Sequence, residues 1–167
     1  MNVSELLQDA FDRVQEECHQ AVSGLSREQL ALRPAPDANS IAWLIWHLTR
    51  VQDDHVSEVA GRAQTWTAGG WVRRFELPFG EEATGYAQSS EEVVQMEADA
   101  EVLLGYLDAT HAATKAFLAT VRDGDLDRVV DRNWTPAVTL GVRLISVISD
   151  DLQHVGQAAY VRGLLGA

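Results

Sequence analysis

The chain has 167 residues, 46% of them hydrophobic and 7% aromatic, which suits one domain with a real core and excludes a wholly disordered chain. Thirteen Lys plus Arg against 25 Asp plus Glu give a formal charge of −12, so the basic face that nucleic-acid phosphates demand is missing. A single cysteine, Cys18, excludes an internal disulfide and any multi-cysteine zinc site. The first residues carry neither the basic region nor the apolar run of a signal peptide. No stretch reaches the roughly 18 consecutive apolar residues of a membrane span. The expectation is a cytoplasmic protein with no membrane and no nucleic-acid partner, monomeric or homodimeric.

Four long helices are predicted, with all four prolines (Pro34, Pro36, Pro78, Pro136) falling between them. The first spans about Ser4 to Gly24. Its apolar residues Leu7, Phe11, Val14, Cys18, Ala21 and Leu25 keep a helix-packing rhythm. Ser26 and Gln29 then form a capping box ahead of Leu30. The second helix starts at Asn39 or Ser40 and runs to about Ala60, with Ile41, Leu44, Ile45, Leu48, Val51 and Val59 on its apolar side. The third is expected from Ser89, with Glu92 completing a box, to about Val121 through Ala100, Leu104, Leu107, His111, Thr114 and Leu118. The fourth begins after Pro136, capped by Thr139, and runs to Gly163 or beyond through Leu144, Ile148, Leu152, Val155 and Ala159. No strand alternation competes, so the fold class is an all-α four-helix bundle in a single domain over residues 1–167.

The connection from Gly61 to Gln88 is far longer than a bundle turn needs. It holds Trp66, Trp71, Phe75, Phe79 and Tyr86, and a purely solvated loop would not be so aromatic. Two readings stand: a crossover packed across the bundle, or a lid over a binding site. Arg73 and Arg74 in its middle are candidate substrate-binding residues, because guanidinium forks pair bidentately with carboxylates; a structural ion pair is the alternative.

The candidate chemistry lies on the fourth helix. Asp150 and His154 are four residues apart, so their side chains converge, and an acid among Ile148 and Leu152 is costly without a cation or an arginine. Asp151 can substitute for Asp150. A metal needs a third ligand, and the second helix offers His47 or His55 but not both. Eight residues of helix separate them by about 12 Å, against metal–nitrogen bonds near 2 Å. Periodicity does not choose between them. His19 reads as exposed, and His111 and Cys18 read as core.

Two segments resemble a known family. Ser40-Ile41-Ala42-Trp43-Leu44-Ile45-Trp46-His47-Leu48 is similar to the second-helix signature of DinB-like (YfiT-like) four-helix proteins. His154-Val155-Gly156-Gln157, with Arg162, is similar to their fourth-helix signature. This superfamily includes mycothiol-dependent maleylpyruvate isomerase and the bacillithiol and mycothiol S-transferases. The resemblance implies a DinB/YfiT-like bundle with a long crossover, and metal ligands that become His47, Asp150 and His154 here. It thereby favours His47 over His55 and Asp150 over Asp151, and it implies zinc, with nickel as the second choice. A coordinated thiol loses its proton and becomes a nucleophile at neutral pH. With Cys18 in the core, the nucleophile is expected to be a small-molecule thiol. Twelve arginines against one lysine, Lys115, hint at a GC-rich genome and hence at mycothiol. The expected activity is thiol S-transfer to an electrophile in detoxification. A metal-dependent isomerase or hydrolase, or a non-catalytic stress-response bundle, is the alternative.

Overall fold

The computed structural model describes residues 1–166. Four long helices form the bundle: α1 (Val3–Val22), α3 (Ile41–Ala60), α7 (Ala100–Leu118) and α8 (Leu140–Leu165). Between them lie one-turn elements: α2 (Arg27–Ala31), α4 (Thr65–Ala68), α5 (Trp71–Phe75) and α6 (Ser90–Val93). Packing places α3 against both α8 and α7, and α1 against the same two, so α1 and α3 face each other across the diagonal. The expected caps form: Ser26 with Gln29 opens α2, Ser40 accepts from the Trp43 N–H, and Thr139 accepts from the Val142 N–H. None of the described helices is long and apolar enough to cross a membrane.

Three expectations need correction. The capping box of Ser89 and Glu92 is real, but it opens only the single turn α6. Beyond it Met96 and Ala98 are buried while Glu97 and Asp99 face outward, an alternation that belongs to extended chain. Arg27 of α2 pairs with both of those acids, and the long helix starts only at Ala100. Its buried row runs through Leu103 and Tyr106 rather than Ala100 and Leu104. Second, a short antiparallel ribbon is present. Strand β1 (Val129–Asp131) pairs with β2 (Val138–Thr139), with Val129 opposite Thr139. Third, the buried row of α8 passes through Asp151, whereas Leu152 is 47% exposed.

The long connection packs as a crossover. Trp66 and Phe75 are buried with Tyr106 of α7, at ring-centroid distances of 5.1 and 5.9 Å. Trp71 lies over Gly105 of α7, where a Cβ would sit 2.7 Å from the indole ring. Beneath this layer, Asp53 accepts from the Thr65 and Trp66 backbone N–H groups and from the Tyr106 hydroxyl. Arg50 is fully buried beside it and stacks over Trp66 at 5.0 Å. Because the crossover covers its outer side, α3 is buried all round from Ile41 to Arg50. That buries His47, which helical periodicity sets only at the edge of the apolar face.

Candidate metal centre

His47 of α3 meets Asp150 and His154 of α8. One ligand atom from each lies within 4.8 Å of the others. Trp43, one turn before His47, stacks on the His47 ring at 4.6 Å and meets the His154 ring edge-on at 6.3 Å. Its own indole N–H donates to Gln88 Oε1 at 2.7 Å, which fixes this aromatic wall. His47 is buried; the side chains of His154 and Asp150 are 19% and 37% exposed, so the cluster opens on the Asp150 side.

The hydrogen bonds set the tautomers. His47 Nδ1 donates to the Thr84 carbonyl, which can only accept, so its Nε2 carries a bare lone pair. Burial holds the His47 ring below the ordinary histidine range and keeps it neutral. His154 Nδ1 lies 3.2 Å from Gln157 Oε1, which places its proton on Nδ1 as well. His154 Nε2 therefore faces Asp150 Oδ1 at 3.6 Å, a pair that needs a cation or a proton between them. Asp150 Oδ2 is buried and has no hydrogen-bond partner among the described residues. Two neutral imidazoles and a carboxylate, each histidine oriented through its second nitrogen, are a donor set that fits a divalent cation.

The segment carrying Thr84 approaches α3 closely. Gly85 has φ +93°, and a Cβ there would stand 2.6 Å from His47 Nδ1 and 3.0 Å from the Trp43 ring. Only glycine meets both demands. Arg50 Nε donates to the neighbouring Ala83 carbonyl at 3.0 Å. Sequence reasoning missed Thr84, Gly85 and Arg50, and met Gln157 only within the fourth-helix signature, without a role; an isolated glycine in an aromatic loop and an arginine amid apolar helix residues were the available signals.

The other expected residues lie elsewhere. Asp151 is fully buried, and burial with the adjacent Asp150 charge pushes its carboxyl well above the usual range. Asp151 is near enough to Cys18 to act on that thiol, which burial raises well above its ordinary value, so Cys18 is inert core. His55 accepts from Arg143 at 3.0 Å. His111 is buried 2.8 Å from Asp12, and His19 is half-exposed beside Asp108. Arg73 and Arg74 stand on α5 outside the cluster, with Arg74 stacked on Trp71 at 4.4 Å. Neither pairs with a carboxylate among the described residues.

Fold and cluster together define a long-crossover four-helix protein with a histidine–aspartate–histidine site between its second and fourth long helices. The chain belongs to the mycothiol S-transferase family, whose profile matches residues 6–167. It is also similar to a crystal structure described as a conserved protein of locus from Enterococcus faecalis. Identity there is 33% and the TM-score 0.93, over 100% of this chain and 99% of the other. No curated protein matches the chain.

Proposed function

We propose that this protein holds a divalent metal, zinc before nickel, at His47, Asp150 and His154, and joins a low-molecular-weight thiol, mycothiol, to an electrophile. The observation that supports this most is the convergence of three ligand atoms within 4.8 Å, with both imidazole Nε2 lone pairs free. Family membership supports the choice of thiol. The bound metal supplies thiol acidification, making a thiolate available at neutral pH.

The chain's own residues do the rest. Thr84 and Gln157 keep both rings turned with Nε2 toward the site. Trp43 closes the side facing the bundle and keeps water from the rings, while the Asp150 side stays open to solvent and substrate. Arg73 and Arg74, which pair with no carboxylate among the described residues, are proposed to take an acidic group of the thiol or the acceptor. Cys18, the one cysteine, is sealed in the core and does not compete as a thiol nucleophile.

The test is a conjugation assay with mycothiol and monochlorobimane, comparing metal-loaded protein with chelator-stripped protein. Conjugation that disappears on stripping and returns with zinc is the expected result. Conjugation no faster than the stripped control refutes the transferase reading.

A further inference from the structure

One face of α8 is turned to solvent along most of its length. Val142, Ile145, Leu152, Tyr160 and Leu164 project from it, five of the twelve large apolar or aromatic side chains exposed among the described residues. With about 100° of turn per residue, every exposed residue from Val142 to Leu164 falls inside one arc of about 160°. Scattered apolar residues need no explanation, but a continuous strip of them does.

That arc carries no charge. Arg143, Asp150, Asp151, His154 and Arg162, the charged and titratable residues of the helix, all lie outside it. Arg143 reaches Asp131 of the ribbon, Asp150 and His154 meet His47, Asp151 enters the core, and Arg162 donates to carbonyls of α1 and its cap. The whole chain carries −12. A partner drawn by charge finds nothing to read on this strip, while two copies of so acidic a chain repel wherever their charged faces meet. A neutral strip is the place where they can approach.

The strip is also graded along its length. Its first half is bulky, with Val142, Ile145 and Leu152, and its second half is small, with Gly156, Ala159 and Gly163. Glycine is among the costliest residues inside a helix, yet a Cβ at Gly156 or Gly163 would meet nothing within 4 Å. Nothing within one chain calls for either glycine. A second α8 laid antiparallel on this face sets bulky residues over small ones at both ends, the self-match that a two-fold interface requires.

We infer that the protein is a homodimer in which α8 packs antiparallel on α8 of a second copy, about a two-fold axis between Leu152 and Gln153. Val142 then stands opposite Gly163, and Ile145 opposite Tyr160. A depression of about 440 Å³, lined by Val142, Ile145, Ser146, Ser149, Asp150 and Gln153, receives the Tyr160 ring of the second copy. From Val142 to Leu164 the strip is about 34 Å long and about 15 Å wide, roughly 1,000 Å² over both copies, the size at which specific interfaces begin. The pairing depends on neither the metal nor the thiol.

Analytical ultracentrifugation of the untagged protein tests it. Wild type should sediment as two chains of 18.4 kDa each, with a dissociation constant below about 100 µM. Ile145→Glu and Gly163→Leu, at exposed positions, should keep the circular dichroism of wild type and weaken association about tenfold or more. Because Cys18 is buried, an engineered surface thiol reports on the geometry alone. Gln153→Cys, beside the axis, should oxidise to a covalent dimer, and Tyr160→Cys, far from it, should not. A wild type that is monomeric at about 100 µM, association untouched by Ile145→Glu and Gly163→Leu, or equal cross-linking of the two thiol variants overturns the proposal.

Discussion

His47 and Arg50, one turn apart on α3, grip consecutive carbonyls of the same loop: His47 Nδ1 donates to Thr84 O, and Arg50 Nε to Ala83 O at 3.0 Å. The crossover is thus fastened to α3 at the point where it sets the orientation of a candidate metal ligand. Arg50 is held in turn by Gln64 Oε1 at 2.8 Å and by the Tyr106 hydroxyl at 3.3 Å.

Gly85 is the tightest element of this fastening. Gly85→Ala must relieve both a left-handed backbone angle and a Cβ 2.6 Å from His47 Nδ1, so the His47 ring turns or the loop lifts. Zinc affinity, measured by chelator competition, is expected to fall about tenfold or more, as for other losses of outer-shell support.

Arg50 is a buried cation whose nearest carboxylate oxygen, Asp53 Oδ2, lies 3.9 Å away. Arg50→Met removes the cation and leaves Asp53 buried without its counter-charge. Urea unfolding of the metal-free protein should show a loss of about 3–5 kcal/mol. Arg50→Lys recovers little, because one ammonium cannot reach Ala83, Gln64 and Tyr106 together.

Asp150 and Asp151 are neighbours with opposite expected behaviour. Asp150→Asn removes the only carboxylate of the cluster and should abolish zinc retention on gel filtration. Asp151→Asn, in the core beside Cys18, should retain zinc and change thermal stability instead.

Stability in acid should depend on Asp12. Burial acts to raise this carboxyl, but hydrogen bonds from Lys115 and then His111 outweigh it, leaving it below the usual carboxylate range. A depressed carboxyl stabilises the fold above the unfolded value of about 3.9 and loses that contribution as pH falls through the lower folded value. With Asp12 and Lys115 each more than a third exposed, Asp12→Asn is expected to cost only about 0.5–1 kcal/mol at pH 7. That difference from wild type should close in strong acid, as monitored by circular dichroism across a pH series.

Helix caps and apolar rhythm were legible because they are local. Ser26, Ser40 and Thr139 open helices where their side chains predict it. The Ser89 box misleads for the opposite reason: it specifies one turn, and the burial of Met96 and Ala98 then holds the chain extended as far as Asp99. Counting apolar residues on α8 leads to Leu152, yet the buried row runs through Asp151, a charged residue that no hydropathy pattern selects. The pair Asp150 and His154 is readable from its spacing, while the choice of His47 over His55 required the family resemblance. Its burial comes from a crossover that covers the outer face of α3, a tertiary fact. Thr84 and Gly85 reach His47 across 37 and 38 residues of chain, beyond any local signal.

The central claim is that His47, Asp150 and His154 hold a metal. Metal analysis by mass spectrometry, on untagged protein purified without chelator, tests it most directly. Wild type should carry about one divalent ion per chain, with His47→Ala and His154→Ala nearly metal-free while still folded. Wild type without metal, or either variant with its full complement, would contradict the account.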